Sequence, residues 1–267
     1  MSSQPLAAHL TKHIPLLHYP FAGSLFALSQ LSNGHSNGTA LWLGGQCLAM
    51  YLAQMHAKFR PSHLTRLPRV IELGSGIGLT ALSLSSLGWD VLATDIPHVI
   101  TSVLEKNIKN NLSALPIGSG TIQIKELDWC VPPENWTWDH ESIIASPALL
   151  TPTGQASTPA HPQFDLIISA DTVYSTELVE PILRTLHHLS VISASNSASH
   201  PPPILLCIER RDPMLVDSLL ASAKHNWGFS VEQIPRRKLV KAVEKSSKWE
   251  KSEWDDVELW KLKLILK

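Results

Sequence analysis

The sequence is poor in cysteine and in net charge, and it holds no long apolar run. Its three cysteines, Cys47, Cys130 and Cys207, lie far apart. An odd number at such spacing fits neither a disulfide framework nor a zinc cluster, and it points to a reducing compartment. Twenty-two basic against twenty-three acidic residues leave a formal charge of −1, so no global field draws the chain to nucleic acid or to acidic membranes. No stretch of about eighteen apolar residues exists, so no membrane span is expected. The opening MSSQPLAAHLTKHIPLL lacks a cationic flank ahead of a continuous apolar core, so no secretory signal is expected and the location is read as cytoplasmic. The thirteen histidines are scattered. His9 and His13 are four apart and His187 and His188 adjacent, yet neither pair has a third ligand nearby, and no metal is expected.

What the chain does have is apolar residue, 44% of 267, enough for a full core. From Val70 onward, strand-like and helix-like segments alternate, which argues an α/β fold with a mostly parallel sheet. The strands expected are Arg69–Leu73, Asp90–Thr94, Thr121–Leu127, Phe164–Ala170 and Ile204–Glu209, followed by FSVEQI and VELWKLKLIL as an antiparallel C-terminal hairpin. The expectation is a Rossmann-like, seven-stranded, mostly parallel sheet with helices on both faces. A helix starts at Pro97, whose missing N–H is not needed at a first helical position, and another spans about Pro213–His225. Two stretches break the rhythm: 131–163, with six prolines, and 193–203, rich in Ser, Asn and Pro. Both read as surface insertions, because the alternation resumes after each. The domain reading is an N-terminal extension over 1–38 and one domain over 39–267.

The stretch VIELGSGIGLTALSLSSLGWDVLATD carries the chemistry. Gly74, Ser75 and Gly76 follow a strand and lead into a helix, where glycine permits positive φ and close approach of a ligand to the backbone. Asp95 ends the next strand, placed to accept hydrogen bonds from both ribose hydroxyls of a nucleoside. Dinucleotide enzymes space their glycines G-x-G-x-x-G, whereas this turn reads G-x-G-x-G with Glu72 two residues upstream. A carboxylate there repels a pyrophosphate and suits an ammonium. S-adenosylmethionine has that ammonium, a ribose and no phosphate. The competing reading is a tight turn with no ligand.

VIELGSGIGLTALSL, VLATDI, ELDW and DLIISADTVY, in that order, resemble the seven-strand methyltransferases that use S-adenosylmethionine. Within them they are similar to methyltransferase family 16, mostly protein-lysine methyltransferases, over about Thr39 to Lys267. The D-x-x-Y of ADTVY is the specific element, and the glycine motif marks only the superfamily. The resemblance implies further cofactor contacts: Trp42 ahead of the glycine motif, Trp129 beside Asp128 near the adenine, and Ala170 lining the pocket by its backbone. As two of nine tryptophans, Trp42 and Trp129 have core packing as the alternative reading.

Asp171 and Tyr174 follow an apolar strand and so share the edge of the glycine turn. If the chain turns helically there, their spacing of three places both side chains on one side. Methyl transfer to a lysine needs an amine freed of its proton and held in line with an activated methyl. Asp171 suits the incoming ammonium, and Tyr174 offers a hydroxyl or a π face. The bland alternative is that Asp171 caps the helix that follows. ERRDP (209–213) is either a substrate contact or a solvated turn, RRK (236–238) is either a localisation signal or a solvated edge, and RRKLVKAVEKSSKWEKSEWDD (236–256), which joins the last two strands, can arch over the mouth of the site and read a protein substrate.

The leading expectation is a protein-lysine N-methyltransferase whose substrate is a protein. ALWLGGQ and VELWKLKLI are similar to segments of the fungal group that acts on translation elongation factor 1A. The alternatives are a small-molecule amine N-methyltransferase on the same fold and a non-catalytic S-adenosylmethionine-binding interaction module. The glycine spacing disfavours a nicotinamide enzyme. The near-neutral charge and ADTVY in place of an NPPY-like tetrapeptide disfavour a nucleic-acid methyltransferase.

Overall fold

The computed structural model describes residues 4–31, 37–61, 65–149, 162–195 and 200–266. The chain opens with an antiparallel hairpin, β1 (Leu16–Phe21) and β2 (Ser24–Ser29). Helix α1 (Leu43–Met55) leads to β3 (Arg69–Leu73), α2 (Leu79–Ser86) and β4 (Asp90–Asp95). Next, α3 (Pro97–Val99) runs through a π-helical turn at Ile100–Leu104 into α4 (Glu105–Asn111). The remainder is β5 (Ile122–Leu127), β6 (Ile143–Ala145), β7 (Leu166–Ala170), α5 (Val179–Ser195), β8 (Ile204–Glu209), α6 (Pro213–His225), β9 (Phe229–Gln233), α7 (Arg236–Ser246) and β10 (Val257–Leu264).

The main sheet runs β6-β5-β4-β3-β7-β8-β10-β9, with β10 antiparallel to both its neighbours and the other pairs parallel. The Rossmann-like reading holds, with eight strands where seven were expected. The extra one, β6, lies inside the Pro-rich stretch 131–163, and its three residues are too few for any periodicity to register. Ile144 and Ala145 are buried with Val131 and Trp138, so part of that stretch is core rather than surface. Residues 150–161 of it, and 196–199 of the second loop, lie outside the described residues. Two strands start later than expected, at Ile122 and Leu166.

Alternation along the parallel strands divides the core. Val70, Val91, Leu166 and Cys207 face α1, α2 and the hairpin, whereas Ile71, Leu92, Ile167 and Leu206 face α5 and α6. Residues 236–246 of the charged segment between the last two strands form α7, which packs along α1 and buries Leu239, Ala242 and Val243. The period of three and four between those apolar residues is that of an amphipathic helix.

The hairpin belongs to the same core, with Leu17, Tyr19, Phe21, Phe26 and Leu28 all buried in it. Two buried asparagines of α4 complete its outer edge. Asn107 and Asn111 accept from the N–H of Ser29 and Ala27 at 2.7 Å each and donate back to their carbonyls at 2.8 and 2.9 Å. Each amide thus imitates a strand residue, which satisfies backbone groups that burial would otherwise orphan.

Candidate active site

From β3 the chain steps outward through β4, β5 and β6, then returns to β7 on the other side of β3. Such a reversal leaves a crevice beyond the carboxyl ends of the strands. The residues at or just past the ends of β3, β4, β5 and β7 therefore meet there: Gly74, Asp95, Trp129 and Asp171. The cleft itself is lined by Trp42, Gly74, Gly76, Asp95, Trp129, Ala170, Asp171 and Tyr174, which are eight of the nine residues expected at the site. The ninth, Ser75, is buried behind the turn beside Glu72. The lining also includes Ile96, Val99, Leu127 and Thr172, which sequence reasoning missed. Only their place next to the expected residues marks them. The cleft encloses about 140 Å³ and is open at Tyr174, which is 59% exposed. A hollow of about 570 Å³ sits at the amino ends of β7 and β8, so volume does not select the site; chemistry does.

The glycine turn is built on β4. The N–H groups of Gly74 and Ser75 both donate to the carbonyl of Thr94, at 3.0 and 2.9 Å. Gly74 has φ +71, and a Cβ on it would stand 2.5 Å from Thr172 Cγ2 and 3.4 Å from the Trp129 ring. A side chain there is excluded by backbone conformation and by space. Asp95 accepts from Gly76 N and Ile96 N, each at 2.8 Å and each on a different oxygen, which leaves lone pairs for a diol. Burial pushes its carboxyl up to about 6, against the pull of those two N–H donors. Glu72, 2% exposed, has an Oε2 with no hydrogen-bond partner. Burial raises its carboxyl to about 8 against the pull of the Ser75 and Thr80 side chains, and the nearby Asp95 charge adds to the rise.

The residues fit S-adenosylmethionine on this evidence. Beside the turn, Trp129 Nε1 is buried without a hydrogen-bond partner, and native structures rarely leave such groups unpaired without a reason. The Asp95 carboxylate suits a ribose diol, and the buried carboxyl of Glu72 suits an ammonium.

Asp171 holds the reacting end together. It has φ +52, and residues 171–174 form a bend rather than a helix, so the helical placement assumed for Asp171 and Tyr174 is not realised. The left-handed residue instead turns the carboxylate inward. Its Oδ2 accepts from Gly44 N at 2.6 Å and its Oδ1 from Glu209 N at 2.8 Å. Gly44 lies in the first turn of α1, whose N-cap Trp42 makes no side-chain cap. Asp171 therefore caps a helix, but α1 rather than the one that follows it; Ser175 caps the latter through Glu177 N. An anionic cap complements the positive end of α1. Burial pushes the Asp171 carboxyl above its ordinary value, while Glu209 N, Gly44 N and Arg211 pull it down.

On the other side of Trp42 a second cavity, about 410 Å³, is lined by His9, Lys12, Glu209, Arg211 and Glu253 among others. Lys12 Nζ lies 3.7 Å and the Arg211 guanidinium 4.4 Å from the Trp42 ring centroid, an arrangement the π face favours. Arg211 is paired with Glu209. Of the ERRDP residues, Glu209 and Arg211 reach this cavity, whereas Arg210 pairs with Asp217 and Glu258.

Fold and site together are similar to those of the Rossmann-like methyltransferases that use S-adenosylmethionine. Residues 25–148, a little under half of the chain, match the family model described as lysine methyltransferase. The chain is 29% identical over 179 residues to protein-lysine methyltransferase METTL21E of Mus musculus, covering 66% of this chain and 60% of that one. It is 25% identical over 174 residues to EEF1A lysine methyltransferase 3 of Xenopus tropicalis, covering 64% and 62%. A methyltransferase structure from Pyrococcus furiosus superposes with a TM-score of 0.47 at 14% identity, covering 96% and 94%. The chain spans less than two thirds of the length of these curated relatives.

Proposed function

We propose that the protein is an S-adenosylmethionine-dependent protein-lysine N-methyltransferase that acts in the cytoplasm, with a translation elongation factor as its substrate. The observation that carries the reading is the juxtaposition at one sheet edge. The glycine turn and Asp95 line one cleft with Asp171 and Tyr174, Glu72 is buried just before the turn, and Tyr174 stands exposed at the open end. Bound there, S-adenosylmethionine supplies an activated methyl group. Asp171 carries out the orienting part. Each of its oxygens already accepts one backbone N–H, so the carboxylate is fixed in place and keeps lone pairs for the ammonium of an incoming lysine. Tyr174, exposed at the rim, offers its ring and hydroxyl to the same chain.

Support for a protein acceptor comes from the relatives' names and from the openness of the cleft at Tyr174. Among the described residues no helix is long and apolar enough to cross a membrane. The test is incubation with methyl-labelled S-adenosylmethionine and cytosolic extract, beside Asp171→Ala. A labelled protein band that the variant loses supports the reading, and purified elongation factor labelled on a lysine supports the narrower part. Label confined to small molecules would replace protein by a free amine. Cofactor binding with no transfer to extract or to elongation factor would leave a binding module.

A further inference from the structure

The N-terminal extension places an amine of this chain against the site. Residues before the hairpin are tied across the start of α1: Gln46 Nε2 donates to Leu6 O at 2.8 Å and Trp249 Nε1 to Pro5 O at 2.8 Å. Gln30 gathers the loop that follows, donating to Thr11 O and to Ile14 O and accepting from Leu41 N at 3.1 Å. Between these anchors Lys12 is half-buried, donates to Leu41 O, and lies over Trp42. Trp42 lines the cofactor cleft beside Asp171.

We infer that Lys12 is a methyl acceptor of this protein's own site, so that the chain methylates itself on its N-terminal extension. The inference rests on the methyltransferase reading above. An ammonium has no lone pair, so an acceptor lysine must spend time neutral. Burial, with Arg211 alongside, lowers the Lys12 amine to about 8, although Asp171 and Glu209 act in the opposite direction. At neutral pH about one such amine in ten is uncharged, against about one in three thousand for an ordinary lysine. Tethering adds to this, because an amine held beside the site meets it at a far higher effective concentration than one arriving from solution.

To react, Lys12 breaks its bond to Leu41 O and swings past Trp42. The Nζ lone pair then forms the N–C bond as the S–C bond of S-adenosylmethionine breaks. Sulfur keeps the bonding pair and leaves as the neutral thioether S-adenosylhomocysteine, and the surplus N–H proton passes to solvent.

The experiment is a two-part incubation of the full chain with methyl-labelled S-adenosylmethionine, alone and with cytosolic extract, followed by peptide mapping. The expected result for the chain alone is a one-methyl mass increment on the peptide containing Lys12, absent from Lys12→Arg, at a rate per molecule that does not change on tenfold dilution. Mapping on the unaltered chain keeps the result readable should the variant fold poorly. Label on an extract protein with none on the chain overturns the inference and leaves the methyltransferase reading intact, as does self-label at a different lysine. A self-labelling rate that falls in proportion to dilution also overturns it in its intramolecular form. No label anywhere, with no cofactor binding, overturns both.

Discussion

Replacing Gly44 by alanine tests the clamp at the heart of the site, because two effects of opposite sign meet there. In an ordinary helix the change gains about 1 kcal/mol of helix propensity. At Gly44 the new Cβ would stand 2.6 Å from both oxygens of Asp171, about 0.8 Å short of ordinary contact. The carboxylate cannot swing freely, since Glu209 N holds its other oxygen. It retreats, and the 2.6 Å bond from Gly44 N stretches past the range of a useful hydrogen bond. A bond to a charged group contributes about 1.5–3 kcal/mol, so the net expectation is a loss of about 0.5–2 kcal/mol, seen as a melting temperature lower by a few degrees. Gly45 is the control. A Cβ there meets only Thr80 Oγ1 at 3.8 Å, and Gly45→Ala is expected to stabilise by up to about 1 kcal/mol. Urea titrations of both variants, with labelled transfer assays alongside, separate the cases. If Gly44→Ala is as stable as Gly45→Ala and as active as the unaltered chain, the Asp171 clamp is not what holds α1 to the site.

Asp95→Asn keeps one acceptor for the turn but loses the charge and one acceptor oxygen, so calorimetry should find S-adenosylmethionine binding about 10- to 100-fold weaker; an unchanged affinity would remove Asp95 from the ribose site. Trp129→Leu removes the aromatic face beside Gly74 and is expected to weaken cofactor binding about 3- to 10-fold, with titration of the cofactor analogue sinefungin as the check. Asn107→Ala leaves the N–H and C=O of Ser29 without their partner and is expected to cost about 2–3 kcal/mol in urea denaturation, whereas a loss below about 0.5 kcal/mol would mean that water replaces the amide.

The legible parts of this molecule are those where a local rule acts alone. Pro97 marks the start of its helix because its ring fits a first helical position and little else, and the structure caps that helix with Ile96. The glycine turn and Asp95 are separated by one helix and one strand, so their meeting follows from the βαβ unit. Contacts across the sheet were not legible. The sequence around Asp171 suits a catalytic carboxylate or a cap of its own following helix, and the structure has it cap α1, 127 residues earlier in the chain. Nothing near Asp171 in sequence states that, although a glycine at position 44 in an otherwise good helical segment was a hint, since glycine is poorly suited to helix interiors unless something approaches closely. The extension over 1–38 raised a similar difficulty. Its burial depends on Asn107 and Asn111, polar residues on a helix whose apolar period is carried by other positions, and a periodicity argument treats them as solvent-facing.

The acids of the site carry one further consequence. Glu72 is buried with an orphaned oxygen and a carboxyl raised to about 8, so at pH 7 the free protein holds it mostly protonated. The cofactor's α-ammonium is itself mostly charged at that pH. When a cation settles beside Glu72, attraction lowers the carboxyl's pKa and the proton leaves. Cofactor binding at pH 7 is therefore expected to release protons, up to about one per site, and the affinity to rise between pH 6 and 8 as the carboxyl approaches its ionised form without help. The folded chain follows the same linkage: with Glu72 raised above its unfolded value, stability in the absence of cofactor falls as pH climbs from about 4.5 to about 8. Calorimetric titration of S-adenosylmethionine in two buffers of different ionisation enthalpy measures the protons directly. Proton uptake, or a release that persists in Glu72→Gln, would place the ammonium elsewhere and return Glu72 to the core as a neutral acid.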